Sequence, residues 1–224
     1  SNFRLGNYID YDLGGASDDY IGSDVTRQMS YCFNGDESDL EFSGIPPAQG
    51  CAVMSGAKEN GVDLGLSEFV YFDNSSNNLT GHPTTAKDFY NYLNGRWRNG
   101  YHMLYGGNGC NMGIITPSLE CRYMYPGDSD PQHIGTNGVV PSAHPDDWTE
   151  FSAQNVPGDR RGLNISGPFN FPAGSIQTFS LAYVTSQALE GSSWLSVELL
   201  KTDVDEVRRQ YLRDTTDSGR PFTY

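Results

Sequence analysis

Apolar and polar positions alternate in short runs along this chain, and turn residues interrupt them. Glu68-Phe69-Val70-Tyr71-Phe72 is an aromatic and β-branched run closed by Asp73-Asn74-Ser75-Ser76-Asn77-Asn78, the pattern of a buried strand entering a loop. Ile176 to Thr185 alternates, with Phe179, Leu181 and Tyr183 on one face and Thr178, Ser180 and Ala182 on the other. Met29 to Phe33, Cys51 to Met54 and Trp194 to Leu200 are further strand candidates.

Two segments carry helical spacing instead. In Thr84 to Gly95, Thr85 is placed to cap a helix start, Asp88 to answer it as a capping-box acid, and Gly95 to stop it. Phe89, Tyr92 and Leu93 would form the inner face. Near the end, Leu200, Val204, Val207 and Tyr211 recur every three to four positions, with acids at Asp203 to Glu206 and Arg208, Arg209 and Arg213 later, the order a helix dipole favours. The expected fold is therefore mainly β: an antiparallel β-sandwich, jelly-roll-like, with one short internal helix and a C-terminal helix. Residues 1–200 would form the sandwich domain. Residues 201–224 would be the helix and a tail, which can lead into a further domain.

Composition supports this picture and narrows the partners. A chain of 224 residues can bury a full core, and 26 glycines with 12 prolines mean many turns. The net charge of -14 sets the surface against nucleic acid and anionic membrane, whose fields have the same sign, and leaves cations and neutral glycans open. No apolar run reaches membrane-spanning length, so no membrane insertion is expected. The polar start lacks the pattern of a secretory leader, which fits a leader already removed or a segment cut from a longer chain. The economical cysteine pairings are Cys32 with Cys51 and Cys110 with Cys121, and disulfides would imply an extracytoplasmic home.

The densest chemistry lies in Asp10-Tyr-Asp12-Leu-Gly14-Gly15-Ala-Ser-Asp18-Asp19-Tyr20-Ile-Gly22-Ser-Asp24. Carboxylates so close on a turning backbone repel one another unless water or a cation intervenes. Hard oxygen ligands between glycines suit structural Ca²⁺, with Asp10, Asp12, Asp18, Asp19 and Asp24 as ligands and Asp36 or Asp39 completing the shell. Gly14 stands where an EF-hand loop wants its fifth-position ligand, so this is a different kind of loop. Asp128 and Asp130, in Gly127-Asp-Ser-Asp-Pro131, form a second possible cation loop.

The blocks Asp12-Leu-Gly14, Asp18-Asp19-Tyr20-Ile-Gly22-Ser-Asp24, Tyr31-Cys-Phe-Asn34-Gly35-Asp36 and Pro46-Pro47-Ala48 carry a resemblance. It continues through Asp88 to Trp97, Tyr105 to Gly109, Tyr125 to Pro131, Pro157 to Arg161 and Ser166 to Phe169. Together they resemble a module common in large secreted proteins of Bacteroidetes, which typically carry a C-terminal sorting domain for type IX secretion. The resemblance spans nearly the whole chain and implies an extracellular or cell-surface location. It names no catalytic residue.

Nor do the residues themselves supply one. Ser129 has a nearby His133 and Asp130, but a serine hydrolase draws these groups from separate parts of the chain, so a turn is the expected role. His82, His102, His133 and His144 show no metal-ligand spacing. Arg160 and Arg161, beside Asp159, read as a salt-bridged corner. Trp97 reads as core. Tyr101, Tyr105, Tyr123, Tyr125 and Trp148 sit in polar stretches, where they would either stack on sugar rings or cover the edges of the core. The expectation is a non-catalytic, calcium-stabilised module for adhesion, for binding a ligand such as a glycan or another surface protein, or for surface assembly. An extracellular hydrolase and a passive spacer or filament subunit are the alternatives.

Overall fold

A computed structural model describes residues 2–77, 79–110, 118–142 and 147–218. The fold is mainly β. One sheet has the order β1-β8-β7, from Phe3–Asp10, Arg160–Phe169 and Glu68–Asp73; the other has the order β2-β3-β4-β9, from Asp19–Asp24, Met29–Asn34, Ala48–Ser55 and Ser180–Ser186. All of these strand pairs are antiparallel. A small hairpin, β5 (Lys58–Glu59) with β6 (Val62–Asp63), turns through Asn60-Gly61, both at positive φ, the turn chemistry that a two-residue hairpin loop requires.

Strand alternation divides the apolar residues between two cores. Ile21, Cys32, Cys51 and Val53 face the three-stranded sheet and join Phe69, Val70, Leu163 and Ile165. Their neighbours Met29, Tyr31, Phe33, Ala48 and Ala52 face the other way, onto a helix. That helix is α2, Ser193–Ser218, which lays Val197, Leu200 and Val204 on the four-stranded sheet. Gly50 lets it come close: a Cβ there would stand 3.1 Å from Leu200 Cδ2. Among the described residues no helix is long and apolar enough to cross a membrane.

Three expectations are corrected here. Trp194 to Leu200 is the first part of α2 and not a strand, because its apolar side chains at 194, 197 and 200 continue the spacing of 204, 207 and 211. The expected boundary at residue 200 therefore falls inside one helix packed on the sandwich. The strand anticipated from Ile176 begins only at Ser180, where pairing with Ser55 begins; Ile176 is exposed.

The other helix, α1 (Ala86–Tyr92), has the anticipated start: the Asp88 N–H donates to Thr85 Oγ1 at 3.2 Å and the Thr85 N–H donates to Asp88 Oδ2 at 3.1 Å. Backbone N–H bonds from Thr84 and Thr85, with the Arg98 guanidinium nearby, hold the Asp88 carboxyl down at about 2. Its inner face is Tyr92, stacked on Phe72 at 5.1 Å, whereas Phe89 is turned outward and 46% exposed. Between α1 and β8 lies a strand-poor segment whose Trp97, Met103, Tyr105, Tyr123, Tyr125 and Trp148 cover the three-stranded sheet. Trp97 is core, as its position after the helix suggested.

Candidate functional site

The five acids of the opening loop are distributed over three places. Asp10 ends β1 opposite Arg161 of β8 and pairs with it at 3.0 Å. Asp19 and Asp24 begin and end β2, so at about 3.3 Å per residue their Cα atoms are roughly 16 Å apart and cannot share an ion. Asp24 serves the turn after its strand: its Oδ1 accepts from the Arg27 N–H at 2.7 Å and its Oδ2 pairs with the guanidinium at 2.9 Å. The single five-ligand shell is thus corrected by the straightness of a strand.

Two acidic groups remain. In the first, oxygens of Asp10, Asp12 and Asp159 lie within 4.8 Å of one another. Arg161 already serves this group, bonding Asp159 at 2.7 Å as well as Asp10, and both Asp10 and Asp12 are exposed. The second lies where the β1–β2 loop meets the loop after β3. A Cβ on Gly15 would stand 3.5 Å from Asp18 Oδ1 and 3.6 Å from Asp39 Oδ2, so both carboxylates face the same glycine. Gly14, at φ +62, folds still closer, with the Asp39 carboxylate 2.4 Å from where its Cβ would be.

Asp19 is the unusual member. It is wholly buried, and its Oδ2 accepts from the Leu13 N–H at 3.2 Å. Its Oδ1 and that of Asp18 are buried without a hydrogen-bond partner among the described residues. Desolvation, reinforced by Asp18 and Asp39 and partly offset by the Leu13 N–H and the Cys32 thiol, pushes the Asp19 carboxyl up to about 8. Asp39 is also partly desolvated, but N–H bonds from Gly15, Glu41 and Phe42 and the Asn34 amide hold it below the usual range.

The second expected cation loop also separates. Asp130 is spent on the turn that follows, accepting from the N–H groups of Ile134 at 2.8 Å and Gly135 at 2.7 Å. Asp128 is exposed and faces a different cavity. Ser129 Oγ donates to Pro126 O at 2.6 Å and accepts from the Val25 N–H at 2.9 Å, a turn role. Of the histidines, His144 lies outside the described residues, and His102 faces Glu120 at 3.4 Å.

The arginine corner is present, and its centre is a residue that sequence reading missed. Glu150 is fully buried, accepts from the Ile21 N–H at 2.7 Å and pairs with Arg160 at 3.0 Å; Arg160 also holds Asp73 at 2.8 Å. Burial pushes the Glu150 carboxyl upward, and Arg160, the Ile21 N–H and Asn155 oppose that rise.

The four cysteines are free thiols, in place of the expected pairs. Cys32 stands opposite Gln49 rather than Cys51 in the β3–β4 register, beside Asp19, while the Cys51 thiol donates to Asn7 Oδ1 at 3.3 Å. Burial pushes Cys51 up to about 11 and Cys110 up to about 12, with Cys32 and Cys121 also raised. Of the two readings of the aromatics in polar stretches, the structure bears out the core one for four of the five, which are therefore not ligand-surface residues. Tyr105, Tyr123, Tyr125 and Trp148 are core residues, none more than 5% exposed, and only Tyr101 of the five is on the surface. Protein-family models, curated proteins and solved structures were each compared with the chain, and none matches.

Proposed function

We propose that the chain is a non-catalytic, calcium-stabilised module of a secreted or cell-surface bacterial protein, serving adhesion or ligand capture. One observation carries the calcium part: Asp19 is wholly buried with an oxygen unpartnered among the described residues, and its neighbour in the chain, Asp18, has a second such oxygen. A buried carboxylate is ordinarily paired or bound to metal, because an ionised group without a partner is costly to desolvate. The proposed ligand set is accordingly Asp18, Asp19 and Asp39, all hard oxygen donors of the kind calcium takes; among the described residues only Asp10, Asp12 and Asp159 already hold oxygens within 4.8 Å of one another, so an ion at Asp19 would have to draw its three carboxylates together. The ion would neutralise these acids and fix the β1–β2 loop against the loop after β3. The surface location rests on the whole-chain resemblance to secreted Bacteroidetes modules.

Thermal unfolding with excess CaCl₂ and with EDTA tests this reading. Calcium at a hundred times its dissociation constant should stabilise the fold by about 2.7 kcal/mol, and Asp19→Asn should abolish the gain while Asp12→Asn leaves it intact. Equal melting temperatures in calcium and chelator would end the calcium reading, and loss of the gain in Asp12→Asn would move the ion to the Asp10, Asp12 and Asp159 group.

A further inference from the structure

Of the nine buried side-chain atoms without a hydrogen-bond partner among the described residues, three belong to residues that wall one cavity. They are Arg4 Nε, Glu68 Oε2 and Arg122 Nε. Satisfied interiors rarely leave such atoms, so their gathering at one place points to a partner from outside the chain. The cavity has a volume of about 290 Å³, at the lower end of the range for small-molecule sites, which suits a compact ligand.

The fold draws this wall from distant positions. Arg4 of β1 and Glu68 at the start of β7 meet at 2.7 Å through Glu68 Oε1, both side chains mostly buried. Gly95, in the turn after α1 at φ +61, lies beside the other oxygen: a Cβ there would stand 2.6 Å from Glu68 Oε2. The backbone of Arg96 is bridged to His102. The Arg122 N–H donates to Gly135 O at 2.9 Å, and its carbonyl accepts from the Phe69 N–H of β7 at 2.8 Å. Both guanidinium groups therefore spring from fixed backbone.

The charge of the wall runs against that of the chain. Acids outnumber bases by 28 to 14, and seven of the ten arginines among the described residues pair with a carboxylate. Arg96 and Arg122 do not; Arg96 donates to Gly100 O at 2.8 Å and Arg122 to Ile134 O. Both stand in this wall. Arg4 and Glu68 offset one another and Glu120 faces His102 at 3.4 Å, so the wall stays net positive whether or not His102 is protonated.

An anion answers two arginines that have no carboxylate, and the planar guanidinium matches a carboxylate through two parallel N–H bonds. Glu68 and Glu120 limit the choice, because a polyanion would bring charge against both. Glu68 Oε2 is an acceptor, so the ligand also needs a donor, a hydroxyl or an ammonium. We propose that this cavity binds a small carboxylate carrying a hydroxyl or ammonium group, the chemistry shared by hydroxy acids, uronic acids and amino acids. The carboxylate would lie on Arg96 and Arg122 and the donor would face Glu68. This rests on the ligand-capture part of the function given above, whose ligand it specifies, and not on the calcium part.

Calorimetric titration with glycolate, glucuronate and glycine separates the three sources. The protein is stripped of metal and the buffer holds no chelator, since EDTA is itself an aminocarboxylate. At least one of the three should bind. Acetate, which lacks the donor, and glucuronamide, which lacks the charge, should each bind at least ten-fold more weakly than the matching acid. Arg96→Gln and Arg122→Gln should each weaken binding ten-fold or more with melting temperature unchanged. Arg96→Lys, which keeps the charge but not the fork, should recover part of the loss, a result that a merely unfolded variant cannot give. No binding by any of the three acids, equal binding by acetate and glucuronamide, or binding of inorganic phosphate alone would overturn the site. Full affinity in both glutamine variants would also overturn it, leaving ligand capture in place on another surface. Melting temperature in calcium without the acids reads the ion separately: calcium stabilisation without carboxylate binding removes only this cavity, and the reverse removes only the ion.

Discussion

Glu150 Oε1 and the Arg160 guanidinium meet at 3.0 Å in the interior, the glutamate completely buried and the arginine side chain 8% exposed. Because the other oxygen of Glu150 accepts the backbone N–H of Ile21 at 2.7 Å, this one side chain joins β2 of one sheet to β8 of the other. A pair of this kind stabilises little compared with well-packed apolar groups, but breaking it leaves a charge stranded. Arg160→Met should therefore destabilise the fold by about 3–5 kcal/mol in urea unfolding, by stranding Glu150. The double variant Arg160→Met with Glu150→Gln should be less damaged than the sum of the singles, since the two substitutions remove one interaction. Strict additivity would show that the pair does not act as a unit.

The helix start gives a smaller and cleaner effect. Thr85→Ala removes the acceptor for the Asp88 N–H and leaves the core untouched, so it should cost about 1 kcal/mol. Thr85→Ser should restore most of it. A loss as large as that expected for Arg160→Met would mean that Thr85 does more than cap.

These two cases show what the sequence can and cannot disclose. The cap was legible because Thr85 and Asp88 interact across three residues, and the strand at Glu68 was legible because its composition is local. Glu150 was not, since its partners lie 10 and 129 positions away and nothing in its neighbourhood marks it as buried. The acid loop was read correctly as crowded but wrongly as one site, because adjacency in sequence becomes separation once residues 19 to 24 extend as a strand. Trp194 was misread for a related reason: a short apolar run has no period of its own, and only its continuation through Val204 and Val207 reveals the helix that puts the indole beside Tyr31.

Gly22 stands opposite Tyr31 in the β2–β3 register and lets its ring lie across β2. Gly22→Ala would press a methyl group into the Tyr31 ring at 2.5 Å, and displacing a packed ring should cost about 1–3 kcal/mol. Combining it with Tyr31→Leu should recover part of the loss. A Gly22→Ala protein of wild-type stability would show that the ring has room to move.

The thiols offer a test that needs no ligand. Cys32, Cys51 and Cys121 are buried and desolvation raises all three, with Cys51 at about 11, so at pH 8 each is overwhelmingly the unreactive protonated form. Ellman titration of the native protein should be slow for these three and fastest at the half-buried Cys110, itself raised to about 12. Four thiols should appear in denaturant without reductant. Two or none would restore the paired cysteines expected from the sequence.

The pH dependence of stability isolates Asp19. Its carboxyl titrates near 3.8 in the unfolded chain and at about 8 in the fold, so between those values the folded state binds the extra proton. Stability from this group is then fully present below pH 3.8 and is lost as pH rises towards 8. In EDTA, the wild-type protein compared with Asp19→Asn should become progressively less stable across that window, the difference isolating Asp19 from the remaining carboxylates. Calcium should reverse the sign, because a bound ion requires the ionised form and a proton competes with it. The decisive comparison is thus the slope of the difference in the two solutions: falling with pH in chelator, rising with pH in calcium. Parallel slopes would mean that the ion and the proton do not compete for this carboxylate, and the ligand assignment at Asp19 would have to be given up even if calcium still raised the melting temperature.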